Sequence, residues 1–221
     1  MYAWPAVYVP VSAGVPIVGM PAAGTADVTG RQDATLRSGN RVILNCETTM
    51  NDNVRAFYQP TLQEIFQVLY KHAWARSDDK KTKNAAGMLS ASGKLMLVGV
   101  NHLPEGFEPT DENLDNKIKD QLIIHAEEDV ILNCAAGGIP TRGRTIVTCW
   151  ASCLVCARMI IGAGIKKLIA HKEMHDRTYE RYRADIKEAV RRLGVAGVEY
   201  ELWSGKVGNC QSLINHEIWE P

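Results

Sequence analysis

Between Arg144 and Trp203, strand-length apolar runs alternate with segments of helical period, and no other feature constrains the fold of this chain as tightly. The runs Arg144–Trp150, Lys166–Ala170 and Val198–Trp203 read as strands. Between them, Cys153–Ile161 reads as a helix stopped by Gly162-Ala-Gly164. Thr178–Leu193 reads as a second helix, with Tyr179, Tyr182, Ile186, Val190 and Leu193 on one face. Strands separated by helices predict an α/β sheet covered by helices. Upstream, Pro60–Ala75 has Leu62, Ile65, Phe66 and Leu69 at helical spacing, with Pro near the start. A Lys-rich loop, Arg76–Asn84, leads to two strand-like runs, Ala85–Leu89 and Lys94–Val100, joined by the hairpin connection Ser90–Gly93. After a loop at Asn101–Pro109 and an acidic stretch, a helix opens near His125 and stops by Gly137-Gly138. Val42–Cys46 reads as a short strand, and the same five letters recur at Val130–Cys134 with unrelated flanks. The recurrence is coincidence, since length and context put the second copy in a helix.

Residues 1–26 carry no charged side chain and hold Pro5, Pro10, Pro16 and Pro21. They lack the basic start of an export signal, and prolines at that spacing prevent a membrane-spanning helix. The segment reads as an extended arm, and the chain divides into an arm at 1–57, a domain at 58–204 and a tail at 205–221. A cytoplasmic location follows as the default expectation, so paired Cys are expected to be thiolate ligands before disulfides. Charge adds a second exclusion: 25 Lys and Arg balance 25 Asp and Glu. A neutral chain is a poor candidate for a polynucleotide partner, although a single nucleotide needs only one or two cationic donors. Six Cys in 221 residues are too few for a disulfide scaffold, so their spacing carries the information.

Two short patterns stand at predicted helix starts: His125-Ala-Glu127 and, with its first Cys 28 residues after the His, Cys153-Leu-Val-Cys156. Cys at i and i+3 share a helical face, so both sulfurs can reach one ion. A first-turn position lets the helix dipole favour the thiolates that zinc requires. One His and two Cys leave a fourth coordination position open, the layout of a catalytic zinc site. Glu127 is near enough to exchange protons with a group at the metal without itself being a ligand.

These patterns resemble the cytidine deaminase-like superfamily and, within it, the deoxycytidylate (dCMP) deaminase family. That family carries His-Ala-Glu followed by Pro-Cys-x-x-Cys, here His125-Ala-Glu127 and Ser152-Cys-Leu-Val-Cys156. Ser77-Asp-Asp-Lys-Lys-Thr82 leading to Ala85-Ala-Gly-Met-Leu89 is similar to a second family segment, and Gly99-Val-Asn-His-Leu-Pro-Glu-Gly106 to a third. The stretch Cys156–Ile169 is close to the family's helix and following strand, and the likeness covers about residues 60–203.

The resemblance implies a three-layer α/β/α sandwich around a central mixed sheet of about five strands. It implies zinc on His125, Cys153 and Cys156, and a zinc-bound hydroxide attacking C4 of cytosine, with dCMP converted to dUMP and ammonia. Glu127 would protonate N3 and then the leaving ammonia. Asn101 would contact the deoxyribose, and the backbone around Ala126 the base. Trp150, Ala151 and Ser152 would form the base-pocket wall. Arg76 and Lys81, with Lys80 and Lys83 beside them, are the phosphate candidates. Several positions depart from the family pattern: Ser152 replaces its Pro, Ala151 its preceding aromatic residue, and Val100 and His102 its Tyr and Gly. These departures leave room for a modified cytosine nucleotide, or for another base such as guanine. A catalytically silent zinc-binding subunit that senses nucleotides is a further alternative, against which Glu127 counts. The family also implies a homo-oligomer and regulation by dCTP and dTTP. No polynucleotide or membrane partner is expected.

Overall fold

The computed structural model describes residues 60–221. The expected arm and the Val42–Cys46 strand lie outside the described residues. Helix α1 (Leu62–Arg76) starts on Thr61, whose hydroxyl accepts the Glu64 N–H while the Glu64 carboxylate accepts the Thr61 N–H. Its apolar face, Ile65, Phe66, Leu69, Tyr70 and Ala73, is buried. Each large side chain there contributes about 1.5–3 kcal/mol of burial free energy.

That face lies on a five-stranded mixed sheet of order β2-β1-β3-β4-β5, formed by β1 (Ala85–Leu89), β2 (Leu95–Val100), β3 (Thr145–Thr148), β4 (Lys167–His171) and β5 (Glu199–Trp203). Strand β1 is antiparallel to both β2 and β3, whereas β3, β4 and β5 run parallel. The parallel strands are joined through helices, as the alternation after Arg144 requires. Strand residues divide by parity. Ala85, Leu89, Val147 and Ile169 pack in the cluster that contains α1. Ala86, Met88, Ile146 and Leu168 pack in a second cluster with helices α3 (Ala126–Ala136), α4 (Leu154–Gly162) and α6 (Glu180–Val195). The result is the three-layer α/β/α arrangement expected from the resemblance.

Two helices and a hairpin were not legible in advance. Helix α2 (Asn116–Leu122) falls in the acidic stretch, which has too few apolar residues to show a period. Its Lys119 is buried because it pairs with Asp79, Nζ to Oδ2 at 2.9 Å. Helix α5 (Lys172–Asp176) is a single short piece between β4 and α6. Residues 205–221, expected as a tail, instead contain a hairpin of β6 (Ser212–Ile214) and β7 (Glu217–Trp219). Val207 and Ile214 from this stretch are buried in the α1 cluster, with Trp219 packed against it. A three-residue strand is too short for alternation to be read from sequence. No helix among the described residues is long and apolar enough to cross a membrane.

Candidate active site

Two helix starts meet at one end of the sheet. His125 is the N-cap of α3 and Cys153 the N-cap of α4, both with extended backbone. The His125 N–H is taken by the Glu128 carboxylate at 3.0 Å, and the Leu154 N–H by Asp185 of α6 at 3.0 Å. Side-chain acceptors on first-turn amides hold both starts in place. His125 Nδ1 lies 3.4 Å from Cys153 Sγ and 3.3 Å from Cys156 Sγ. The three ligand atoms all lie within 4.8 Å of one another. A tetrahedral zinc with ordinary Zn–N and Zn–S bonds spaces its ligand atoms about 3.5–3.8 Å apart, so this donor set fits the ion in type and spacing.

Electrostatics within the group make Cys153 the thiolate and keep protons on Cys156 and His125. A hydrogen bond from Cys156 brings Cys153 down to about 4, against the opposing effect of burial and with His125 adding to the lowering. The shared proton and burial push Cys156 well up. Burial acts to lower His125, but its hydrogen bond to Cys153 and the charges of Cys153, Glu127 and Glu128 raise it to about 9. A dication on these atoms would release their protons, as metal binding to thiols and imidazole does.

Glu127, on the first turn of α3, is 1% exposed, and burial raises its carboxyl above the ordinary range. Thr148, at the end of β3, donates its hydroxyl to Glu127 Oε1 at 2.8 Å, and Ser152 approaches the same oxygen at 3.4 Å. Cys156 Sγ is 3.6 Å from Glu127 Oε2, so the carboxylate is in contact with the candidate metal group.

A cavity of about 570 Å3 opens over this group. Of the residues singled out in the sequence, His125, Ala126, Glu127, Cys153, Trp150, Ala151, Asn101 and Lys81 line it. Trp150 is held by its indole N–H to Thr178 Oγ1 at 2.9 Å and by Asn84 Oδ1 on its backbone N–H at 3.1 Å. Ser152 is buried behind the wall against Glu127. Asn101 has a different occupation from the one expected. Its Oδ1 accepts from Ser77 Oγ and from the Asn84 N–H, both at 2.7 Å. Its Nδ2 donates to the Thr82 carbonyl at 2.8 Å and to Asp79 at 3.3 Å. All four hydrogen-bonding positions of the amide are thus spent on the 77–84 loop, and contact with a sugar requires one to yield. Among the phosphate candidates, Arg76 is exposed and lies off the cavity, Lys80 pairs with Asp111 at the surface, and Lys83 donates to the Ser77 carbonyl.

Sequence reasoning missed Thr148, Lys119, Tyr179, Arg181, Tyr182, Asn215 and His216. All but Thr148 line the cavity. Tyr179 and Tyr182 enter the sequence reading only as part of one face of the helix predicted over Thr178–Leu193.

Comparison with known proteins agrees with this geometry. The family model of the cytidine and deoxycytidylate deaminase zinc-binding region matches residues 60–172, just over half of the chain. The chain belongs to this deaminase family. The deaminase is 29% identical over 158 residues to human deoxycytidylate deaminase, covering 68% of this chain and 83% of the relative. It is 33% identical over 79 residues to the ComE operon protein 2 of Bacillus subtilis strain 168, covering 36% of this chain and 39% of that protein. Among solved structures, the dCMP deaminase of cyanophage S-TIM5 in complex with dCMP and dUMP has the same fold. The TM-score is 0.51 at 22% identity, with 66% of this chain and 99% of that chain covered. The mixed five-stranded sheet and its helix layers thus have the fold of that structure.

Proposed function

We propose that this deaminase converts dCMP to dUMP and ammonia by hydrolysis, with zinc on His125, Cys153 and Cys156. The observation that carries the reading is the buried Glu127 carboxylate against the His/Cys/Cys group on the floor of a nucleotide-sized cavity. Zinc held by these three side chains supplies, when bound, the Lewis acidity that makes water nucleophilic near neutral pH. Glu127 accepts a proton from the attacking water as the C4–O bond forms and delivers it to N3. It then carries the second water proton to the exocyclic amine as the C4–N bond breaks, leaving a 4-oxo base and ammonia. Thr148 and Ser152 hold Oε1 so that the other carboxylate oxygen faces the reacting atoms. The aromatic wall at Trp150, edge-on to Tyr182 at 6.1 Å, offers a flat base an apolar surface. The choice of dCMP is supported by the relatives that bear that name and by the neighbour that binds dCMP and dUMP.

Ala151 favours a second reading. It presents only a methyl group to the cavity where the family pattern often has an aromatic ring, which leaves room for a substituted cytosine nucleotide. Zinc-loaded protein is expected to release ammonia from dCMP faster than from dCTP, deoxycytidine, 5-substituted dCMP or guanine, followed by ultraviolet absorbance. Stoichiometric zinc without ammonia release from any of these overturns the enzymatic reading. The same assay with dCTP and dTTP added, and with the subunit number measured, tests the regulation and self-association that the family implies.

A further inference from the structure

The C-terminal hairpin lies beyond the segment matched by the family model, yet its turn forms part of the cavity wall. The hairpin is built onto the loop that precedes β1. Lys83 donates its N–H to the Leu213 carbonyl at 2.9 Å, and His216 donates its N–H to the Lys81 carbonyl at 2.9 Å. Asn215 donates its N–H to Thr82 Oγ1 at 3.1 Å and its side-chain amide to the Arg177 carbonyl at 3.1 Å. Tyr179, another lining residue, donates its hydroxyl to the Asn215 carbonyl at 3.3 Å. The turn is thereby fixed from two sides.

Its composition is unusual for its geometry. Asn215 and His216 both have left-handed backbone, with φ of 56° and 67°, as a two-residue hairpin turn of this type demands. Asn suits the first position, and the second ordinarily takes Gly, although His is among the side chains that tolerate left-handed backbone better than most. The His216 side chain is among those that line the cavity. The cavity also receives Lys81 from the loop and Arg181 from α6. Of the acidic lining residues among those described, Asp79 is paired with Lys119 and Glu127 lies at the reacting centre of the proposed function, which leaves Asp120. Three segments distant in sequence thus bring cationic or hydrogen-donating side chains to one cavity.

We propose that the hairpin is a substrate-recognition element and that His216, with Lys81 and Arg181, holds the phosphate of the nucleotide. The proposal rests on the nucleotide-deaminase reading above. His216 then sets the preference for a nucleotide over its nucleoside. The test uses the full-length, zinc-loaded chain and the variant His216→Gly, which relieves the left-handed position and should melt no lower than the parent. The ratio of kcat/KM for dCMP to that for deoxycytidine is expected to fall about tenfold, chiefly through KM, as for loss of one charge-assisted hydrogen bond. Calorimetric affinity for dUMP relative to deoxyuridine should fall in parallel. A hairpin that merely braces the fold would lower both substrates alike, so both ratios staying within about twofold of the parent overturns the proposal. The same holds if Arg181→Gln shows the loss while His216→Gly does not, because the phosphate would then be held by α6 without the hairpin. A parent protein that neither deaminates dCMP nor binds dUMP instead overturns the nucleotide reading, and this proposal with it.

Discussion

Glu127 is gripped through a single oxygen, Oε1, by Thr148 at 2.8 Å and Ser152 at 3.4 Å, and its other oxygen meets Cys156. Burial favours the protonated acid and outweighs the backbone N–H of Glu127, the charge of His125 and the Thr148 hydroxyl, which favour the charged form. Glu127→Gln keeps the shape but removes the proposed proton carrier. Turnover is therefore expected to fall by about 10²–10⁴-fold with zinc still bound, checked by kcat beside metal content. Thr148→Val keeps the volume and removes one donor. We expect kcat to fall about ten- to hundredfold, and an unchanged kcat would show that Thr148 is structural only. Glu127 and the three candidate ligand residues were legible because their spacing is local: i and i+2 at one helix start, i and i+3 at the other. Thr148 was not legible, since nothing near it in sequence marks a strand residue as partner to a carboxylate 21 positions earlier.

At the scale of elements, helix α3 carries both His125 and Glu127, and its position depends on one glycine. A Cβ on Gly99 of β2 would lie 2.5 Å from the Val130 nitrogen and 2.6 Å from the Ala126 carbonyl oxygen. Both are backbone atoms that cannot move without the helix. Asp129 reinforces the contact by accepting the Val100 N–H at 3.0 Å, while its other oxygen pairs with His102 at 3.3 Å. His102, which replaces a glycine in the family pattern, thus braces β2 against α3. Gly99→Ala is expected to destabilise the fold by about 1–3 kcal/mol, read as a lower denaturation midpoint, and to reduce activity by displacing α3. Most helices and sheet strands were recognisable because apolar residues recur with the period of the element. Helix α2 and the hairpin β6–β7 were not, one for want of apolar residues and the other for its brevity. Each stays ordered through distant partners, Asp79 for Lys119 and the 81–83 backbone for the hairpin.

Across the whole molecule, the α1 side of the sheet closes over a buried histidine. His171, at the end of β4, has Tyr70 Oη at 2.7 Å from Nδ1, with the Gly205 carbonyl at 3.1 Å and Glu173 at 2.8 Å from Nε2. The rings of Phe66, Trp203 and Trp219 surround it. Burial lowers its pKa, more than the Gly205 and Glu173 contacts raise it. The folded state therefore prefers neutral imidazole. Its contribution is complete above the unfolded value of about 6.5 and is lost as pH falls through the lower folded value. Denaturant midpoints measured from about pH 8 to about pH 5 should drop in this window, and less so in His171→Asn, which cannot take up the proton. This network ties β4, α1 and the C-terminal segment together, which is why residues 205–221 are part of the folded unit. The sequence by itself determined the order of helices and strands, the His125, Cys153 and Cys156 donor set, and the carboxylate beside it. These are written in periodicity and short spacings, which operate within one or two turns of chain. Tertiary structure alone decided which cations reach the cavity, that Asn101 braces a loop, and that the C-terminal hairpin forms a wall. Those outcomes depend on pairing and burial between segments far apart in the chain, such as Asn215 and Thr82 at 133 residues, a separation at which sequence pattern holds no record of contact.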